Sequence, residues 1–237
     1  MALTDNLISY WKLDESSGNA SDSVGSNTLT NTNVTYATGK INNGAVFNAG
    51  TDNLAIADAT QVGLDITGNL SFSCWIKHTS VPSSGVAQWY LNKFGASGNY
   101  GYRLYLYNNA GTLGLWFDCS ANGTTNTGST VNWTPSTDTW YHVIIVYTAA
   151  SGSCAYYING SQQGSTQTGL ATSIFNSNAP FALGSLNGSQ ALNGVIDEAG
   201  IWSRALSASE ITELYNGGAG LTYPFASANT ANFLAFF

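Results

Sequence analysis

Residues 193–211 read NGVIDEAGIWSRALSASEI, an apolar, strand-like run that leads directly into helix-capping residues. Ser207 followed three residues later by Glu210 is the pattern of a capping box, in which each side chain bonds to the backbone of the other residue. This pattern predicts a short helix that begins near Ala208 and ends at Gly217-Gly218, where a glycine can take a left-handed conformation. Because such a helix has only about two turns, it must be held by packing.

Alternating apolar and polar residues predict strands at residues 7–13, 45–49, 70–78, 87–94, 101–107, 112–118, 140–148, 154–159, 180–184 and 192–202. The runs NNAG (108–111) and NG (159–160) predict tight hairpins, so neighbouring strands should be antiparallel. Three polar stretches, residues 16–35, 120–132 and 160–173, are expected to be loops. Many short strands with a single helix near the C-terminus predict an all-β fold, an antiparallel two-sheet β-sandwich.

Several stretches resemble the laminin G-like, concanavalin A-like lectin and glucanase family of jelly rolls. They are residues 193–215, TWYHV (139–143), CAYYING (154–160), GAVF (44–47), LSFSCWI (70–76) and YWKL (10–13), and they extend the resemblance over nearly all of residues 7–216. The resemblance implies a jelly-roll domain over residues 1–222, followed by an apolar tail at residues 223–237. The chain also looks like laminin G-like proteins encoded by bacteriophages and bacteria, which implies a protein of the virion surface or cell surface.

Charge and hydropathy argue against several classes of partner. The chain has 6 basic and 13 acidic residues, giving a formal net charge of −7. Nucleic-acid binding and attraction to anionic membranes are therefore not expected. No apolar run reaches the length of about 18 residues that predicts a membrane span, and the N-terminus does not resemble a signal peptide. We expect an extracellular or virion-surface location, reached without a classical signal peptide and without membrane insertion.

The cysteines are Cys74, Cys119 and Cys154. They form no CxxC pair and their number is odd, so the sequence predicts neither a zinc site nor a complete disulfide framework. Buried free thiols are expected. The alternative is a bridge between Cys119 and Cys154, if those two strand ends meet.

Calcium is the cofactor that the resemblance implies. In many relatives a structural Ca²⁺ ion is held by the acidic residue of the last core strand and by an early loop, which correspond here to Asp197 and Asp22. Carbonyl groups near Gly25 and Asn27 would complete the oxygen ligands that Ca²⁺ requires. The alternatives are loop amides bonded to the carboxylate of Asp197 and an Asx turn at Asp22. In a regular strand, Glu198 would point to the face opposite Asp197.

A candidate ligand-binding surface lies on the hairpin between residues 102 and 118. One alternating set mixes aromatic and ionic side chains: Arg103, Tyr105, Tyr107, Trp116 and Asp118. The other set is suited to a core: Tyr102, Leu104, Leu106, Leu115 and Phe117. Because sugars stack on aromatic rings and bond to polar side chains, the first set could bind a glycan or a host-surface molecule. The alternative is a sheet face that loops cover, and Trp89 and Trp133 are weaker candidates of the same kind.

The sequence offers little for catalysis. Retaining glycosidases need two carboxyl groups about 5–5.5 Å apart, and no predicted strand carries an acidic pair at a suitable spacing. His78 and His142 lie in apolar strands and are expected to be hydrogen-bonded sheet residues. We therefore expect a protein that is not an enzyme, the alternative being a glycoside hydrolase or polysaccharide lyase on the same fold.

The end of the chain suggests assembly. After a polar link at residues 226–230, the run ANFLAFF (231–237) is too short to span a bilayer and too apolar for a free end. We expect it to dock on its own domain or to drive self-association or attachment to a larger assembly. The sequence thus predicts a non-catalytic surface-interaction subunit, for decoration or adhesion, with possible carbohydrate binding.

Overall fold

The structure, a computed structural model, describes residues 1–186 and 188–225. These residues form sixteen strands and one α-helix. The strands are β1 (Leu7–Trp11), β2 (Thr30–Thr32), β3 (Thr35–Thr38), β4 (Asn43–Asn48), β5 (Asn53–Ile56), β6 (Leu70–His78), β7 (Ala87–Phe94), β8 (Tyr100–Asn109), β9 (Thr112–Ser120), β10 (Asn126–Asn132), β11 (Trp140–Thr148), β12 (Ser153–Ile158), β13 (Ser161–Gln162), β14 (Gln167–Thr168), β15 (Phe181–Leu183) and β16 (Asn193–Trp202). The helix is α1 (Ala208–Tyr215).

The strands form two antiparallel sheets. The nine-stranded sheet has the order β13-β12-β11-β6-β16-β4-β3, with β1 paired to β16 and β14 paired to β12. The seven-stranded sheet has the order β10-β9-β8-β7-β15-β5-β2. Neighbours such as β16 and β6 are far apart in sequence, as expected for a jelly roll, and the predicted sandwich is confirmed.

One apolar core lies between the two sheets. The nine-stranded sheet contributes Phe72, Ile145 and Ile201, and the seven-stranded sheet contributes Leu104 and Phe117, all completely buried. Burying a side chain of this size stabilises a fold by roughly 1.5–3 kcal/mol. The core therefore holds the sheets together, and each sheet keeps a second face that other segments cover or leave open.

The outer face of the nine-stranded sheet is covered by α1. Ile211 and Leu214 of the helix join a buried apolar cluster with Ile144 and Trp202 of the sheet. Tyr10, on the same face, contacts the rings of Tyr223 and Phe225 beyond the helix. The start of the expected tail therefore packs on the domain, while residues 226–237, on which the assembly prediction rests, lie outside the described residues.

The helix begins where the sequence predicts. The side chain of Ser207 accepts a hydrogen bond from the backbone N–H of Glu210, and the Glu210 carboxylate accepts one from the backbone N–H of Ser207. At the other end, Asn216 takes the left-handed conformation (φ 48°), one residue before the predicted Gly217. Asparagine tolerates this conformation almost as well as glycine, so the predicted stop is displaced by one position.

The three polar stretches are not only loops. Residues 16–35 contain β2, residues 120–132 contain β10, and residues 160–173 contain β13 and β14. These strands lie at sheet edges or pair over only two or three residues. Such strands bury few side chains, so hydrophobic alternation does not reveal them.

Cys74, Cys119 and Cys154 are buried free thiols, as expected, and the alternative disulfide is not formed. Burial raises the pKa of the Cys74 and Cys154 thiols well above the ordinary value. In the described part of the chain, no helix is long and apolar enough to cross a membrane.

Candidate functional site: an aromatic groove on the seven-stranded sheet

A row of aromatic side chains crosses the outer face of the seven-stranded sheet. Trp89 on β7 lies directly opposite Tyr105 on β8, and Tyr105 lies opposite Trp116 on β9. The ring centroids are 4.4 Å apart in the first pair and 6.3 Å apart in the second, where the planes differ by only 17°. Tyr107 meets Trp116 edge-on at 5.9 Å. Because side chains alternate along a strand, Leu104, the residue before Tyr105, points to the opposite face and lies in the core.

An ion pair borders this row. The Arg103 Nε and Nη2 atoms lie 2.8 and 2.7 Å from Oδ2 of Asp118, and the Tyr105 hydroxyl donates to the same oxygen at 2.9 Å. The guanidinium also lies over the Phe94 ring, 4.0 Å from its centroid. Burial, and next the charge of Asp118, raise the pKa of Tyr105, so its hydroxyl stays a neutral donor. All five predicted ligand-binding residues therefore share one face.

A glycine on β10 makes room for the carboxylate of this pair. Gly128 lies opposite Asp118, and a Cβ at that position would overlap Oδ1 of Asp118. Any larger residue would displace the carboxylate and disturb the position of Arg103. Glycine inside a strand often marks such a close approach.

Two adjoining hollows follow the aromatic row, and Trp116 lines both. The first has a volume of about 240 Å³ and is lined by Gly85, Ala87, Trp89, Arg103, Tyr105, Tyr107, Trp116 and Gln190. The second has a volume of about 270 Å³ and is lined by Asn109, Thr112, Gly114, Trp116, Thr130 and Asn132. We call the two hollows together the aromatic groove.

The groove is partly covered and partly open. Gln190, in the loop before β16, accepts a hydrogen bond from Nε1 of Trp89 at 3.3 Å, and Leu186 packs beside it. Trp89 and Tyr105 are consequently only 4% and 8% exposed. Trp116 is more exposed than these two, and its Nε1 forms no hydrogen bond with the described residues. The alternative expectation, a sheet face that loops cover, therefore holds at the Trp89 end of the face. The Trp116 end stays open.

Several residues of the groove were not predicted from the sequence. Asn132 and Thr130 belong to β10, in a stretch expected to be a loop, and Gln190 lies in a connection without a recognisable pattern. Gly114 was the one residue that could have indicated the groove, because a glycine inside a strand often marks a place where another group approaches the backbone closely. A Cβ at Gly114 would lie 2.7 Å from Oγ1 of Thr130 and 3.1 Å from Nε1 of Trp116. Trp133, the other weak candidate, is buried against Tyr141, away from the groove.

The residues of the predicted calcium site fall into two settings. Oδ1 of Asp22 accepts from the backbone N–H groups of Tyr10 and Val24 at 3.1 and 3.0 Å, and Oδ2 accepts from that of Asn27 at 3.1 Å. Gly25 packs directly against this carboxylate.

Asp197 instead accepts from the backbone N–H groups of Lys40 and Ile41, at 2.7 and 2.8 Å.

These contacts match the alternative interpretations, an Asx turn at Asp22 and loop amides at Asp197. The side-chain and backbone oxygens of Asn27 are also engaged, by the Val62 N–H and by Nε1 of Trp11. The donor set as it stands does not fit a Ca²⁺ ion, which needs six to eight oxygen ligands around one point. Among residues 1–186 and 188–225, no three His, Cys, Asp or Glu side chains are grouped to hold a metal ion. Calcium binding stays a prediction.

Glu198 departs from a regular strand. A bulge interrupts the pairing of β16 with β6 at this point, and Glu198 has a positive φ of 49°. Neither carboxylate oxygen has a hydrogen-bond partner among the described residues, and burial raises the pKa of Glu198 to about 7. Burial likewise raises the pKa of Asp197 to about 8. Arg204, six residues further along the chain, bonds to Glu210 and not to Glu198.

The two histidines lie away from the groove. His78 bonds to Gln88 at 2.9 Å and to the Tyr90 hydroxyl at 2.7 Å. His142 bonds to Ser73 at 2.8 Å and stacks on Trp75. Burial lowers their pKa values to about 4 and about 3, so both rings are neutral at ordinary pH. Both are hydrogen-bonded sheet residues, as the sequence predicted.

Solved structures resemble this fold. Domain 4 of AbnA, a GH43 extracellular arabinanase from Geobacillus stearothermophilus determined in complex with arabinotriose, is 24% identical, with a TM-score of 0.66 over 88% of this chain and 97% of that one. The binding domain of Paraclostridial Mosquitocidal Protein 1 is 19% identical, with a TM-score of 0.72 over 92% of this chain and 53% of that one.

A third structure belongs to botulinum neurotoxin type C, whose cell entry depends on interaction with two ganglioside molecules. It is 16% identical, with a TM-score of 0.68 over 90% of this chain and 51% of that one. The present chain thus spans about half the length of the two toxin structures. At these identities the likenesses show the fold alone.

No curated protein sequence matches the chain significantly. A laminin G model of the concanavalin A-like lectin/glucanases superfamily matches residues 48–212, which is more than half of the chain. The matched range includes β6 to β16 and therefore both sides of the aromatic groove. The chain belongs to the concanavalin A-like lectin/glucanases superfamily.

Proposed function

We propose that this protein is a carbohydrate-binding jelly roll that holds a glycan in the aromatic groove without catalysing a reaction on it. The observation that carries the proposal is the aromatic row of Trp89, Tyr105 and Trp116, which ends in an open indole between two hollows. Sugar rings have apolar C–H faces that pack on aromatic rings, and their hydroxyl groups need polar partners nearby.

The groove supplies both kinds of contact. Trp116 offers a ring face and an unbonded Nε1–H, and Tyr107 offers an edge with a hydroxyl that forms no hydrogen bond with the described residues. Exposed amide groups stand at the two ends, Gln190 on one side and Asn132 on the other. The rigid strands β8 and β9 fix the aromatic rings, so little ordering is needed when a ligand binds.

The relatives support this proposal at the level of the fold. One similar domain was determined with arabinotriose bound, and another belongs to a toxin that interacts with gangliosides. The arabinotriose complex shows that a sandwich of this shape can bind a carbohydrate, whereas the match to the toxin covers only 51% of that chain. Fold likeness alone does not select a ligand, so the proposal rests on the groove of this chain.

Binding without catalysis is the favoured role because of the chemistry of Asp118. Glycosidases position two carboxyl groups at the scissile bond, roughly 5–9.5 Å apart depending on mechanism. Neither hollow has a carboxylate among its described lining residues. Asp118, which borders the aromatic row, already accepts bonds from Arg103 and Tyr105 at its Oδ2. The second candidate, a glycoside hydrolase or polysaccharide lyase, would be favoured by the appearance of shortened products when a bound glycan is incubated with the protein.

The proposed setting is the surface of a virion or a cell, where a binding subunit would meet its glycan. The small number of basic residues and the net charge of −7 agree with a role that involves neither nucleic acid nor membrane. Attachment through the apolar residues 231–237 is part of the proposal. Truncation after Phe225 tests it, because the shortened protein should keep its fold and lose self-association or attachment.

A glycan array with three proteins tests the proposed function. The wild type should bind a defined group of glycans, and Trp116→Ala should lose most of this binding. Trp140→Ala is the matched control, since Trp140 is also a half-buried indole but lies on the other sheet, under the amine of Lys77. Failure of the folded wild-type protein to bind any glycan would overturn the proposal. Equal losses in both variants would place the site elsewhere.

A further inference from the structure

We infer that the aromatic groove takes a neutral glycan chain of at least two consecutive sugar rings, which crosses β8, β9 and β10 over Trp116, and does not select a single or negatively charged sugar. This inference rests on the proposed function and specifies its ligand class. It depends on the size of the groove, on the bonding of Arg103, the only charged lining residue in the described chain, and on the polar groups at its far end.

The size of the groove indicates more than one ring. Its two hollows have volumes of about 240 and 270 Å³, each smaller than the roughly 300–1,000 Å³ of a site for a drug-sized ligand. Because Trp116 lines both, a chain that lies over its ring would reach both hollows along one path. The path runs from Gln190 beside β7 to Asn132 on β10, which covers three strand spacings or roughly 14 Å. A single sugar ring would fill only part of it.

The charge state of the groove argues for a neutral ligand. Arg103 is the only cation among the described lining residues, and two of its nitrogens bond to Asp118. Its guanidinium also packs on Phe94, so an incoming carboxylate would have to compete with a buried partner. The second hollow has no charged lining residue in the described chain. With a net charge of −7, the protein would also repel an anionic glycan at long range.

The far end of the groove has the chemistry of a subsite for hydroxyl groups. Asn109, Thr112 and Asn132 are exposed there, and Oγ1 of Thr130 is buried without a hydrogen-bond partner among the described residues. Gly114 keeps Thr130 and Nε1 of Trp116 within reach of one small group, because it adds no side chain between them. Amide, hydroxyl and indole groups can bond to sugar hydroxyls without any ionic contact.

The test is a titration with neutral oligosaccharide ladders of one to six units, including arabinan, xylan, cellulose and α-glucan fragments. Oligogalacturonides and sialyllactose serve as charged probes. We expect affinity for the best neutral ladder to rise by at least about tenfold from one unit to three, because each added ring gains new contacts. Charged probes should bind more weakly than neutral probes of the same length.

A substitution at the far end of the path tests whether the bound chain reaches β10. Asn132→Ala should lower the affinity for trisaccharides several-fold and leave the affinity for single sugars unchanged. Gln162→Ala on β13 is the matched control, since it removes an exposed amide from the other sheet. An Asn132→Ala protein that binds trisaccharides like the wild type would contradict a path that reaches β10.

Failure of the inference can be distinguished from failure of the proposed function. Exclusive binding of the charged probes, or equal affinity for one unit and three, would overturn the neutral chain while the carbohydrate-binding function stands. Absence of binding to every probe by the folded protein would overturn both. A length-dependent gain for a neutral ladder, reduced in Asn132→Ala, would support the inference.

Discussion

The outer faces of the two sheets carry similar residues, but a helix covers the central indole of one face, whereas the other face stays open around Trp116. On the nine-stranded sheet, Trp75 stacks on His142 and Tyr215 and lies under the amine of Lys40, 4.4 Å from the ring centroid. On the seven-stranded sheet, Trp116 stacks in parallel with Tyr105 beside Arg103. Either strand pattern, considered alone, would suggest a ligand platform.

The difference comes from the C-terminal segment. Tyr215 of α1 lies over Trp75, and Gly220 passes so close that a Cβ there would lie 2.9 Å from Nε1 of Trp75. Trp75 is therefore only 2% exposed. No described segment passes in this way over Trp116. An aromatic strand face thus becomes a candidate site only where the chain does not return to cover it.

The covered face should be the more sensitive to loss of an ion pair. Arg204 forms two bonds to Glu210, at 2.9 and 2.7 Å, and both side chains are nearly buried. Arg204→Ala should lower the free energy of unfolding by about 3–5 kcal/mol, because it leaves a buried carboxylate unpaired. Urea titration measures this. Arg103→Ala should cost less, because Arg103 is 21% exposed, whereas Arg204 is nearly buried and also donates to the backbone oxygens of Ala2 and Asp5. A reversed order would contradict the contrast between the faces.

The covered face should also give the protein a pH dependence. Burial raises the pKa of Glu198 to about 7, and burial together with the charge on Glu198 raises that of Asp197 to about 8. Asp14, Lys12 and the hydroxyls of Tyr10 and Thr222 are the other groups that act on Glu198. The folded protein therefore holds protons that the unfolded chain has already released, and this stabilisation is lost as pH rises through the folded pKa values.

A clean window for this effect lies between about pH 7 and pH 8.5, where unfolded histidines are mostly neutral and thiols mostly protonated. His78 and His142, whose pKa values are lowered, act in the opposite sense, but only at lower pH. We expect stability to fall by about 1–3 kcal/mol across the window. Asp197→Asn should remove most of this slope in thermal melts and Glu198→Gln a smaller part, because the pKa of Asp197 lies inside the window and that of Glu198 lies at its lower edge. An unchanged slope in Asp197→Asn would exclude this carboxyl group as the main source.

Two tyrosines on the open face should separate stability from binding. The Tyr105 hydroxyl bonds to Asp118, so Tyr105→Phe should cost about 1–2 kcal/mol of stability. Tyr107→Phe should cost less than about 0.5 kcal/mol, because its hydroxyl has no partner among the described residues. Glycan affinity should nevertheless fall several-fold in Tyr107→Phe. Thermal melts and calorimetric titration measure the two quantities, and unchanged affinity would remove Tyr107 from the site.

The smallest effect is expected from chelation. Both oxygens of Asp22 and Oδ2 of Asp197 accept from backbone amides, and only Oδ1 of Asp197 is left without a partner among the described residues. Removing divalent cations with EDTA should therefore leave the melting temperature and glycan affinity unchanged. A clear rise in melting temperature on adding Ca²⁺ would instead support the calcium prediction. Asp22→Asn and Asp197→Asn would then show which carboxylate binds the ion.

The sequence could predict much of this architecture because local signals are strong there. The capping box at Ser207 and Glu210 depends on four adjacent residues, and the alternation on β8 and β9 is complete enough to place Arg103 and Trp116 on one face. Both signals are local, so tertiary contacts did not override them.

The features that the sequence did not predict depend on contacts between segments that are distant along the chain. β10 is polar and becomes a strand because β9 offers an edge, so Thr130 and Asn132 carried no visible pattern. Gln190 reaches the groove only because the loop before β16 passes Trp89. The bulge at Glu198 was equally invisible. Nothing in a strand pattern tells which face a later helix will cover.

Heteronuclear NMR of the indole N–H groups tests the central claim most directly, because the seven tryptophans report on both faces at once. On titration with the best neutral oligosaccharide, the account predicts that the Trp116 signal shifts most, that the Trp89 signal follows, and that those of Trp75, Trp140 and Trp202 stay in place. Shifts confined to Trp75, Trp140 or Trp202, with Trp116 unmoved, would contradict it.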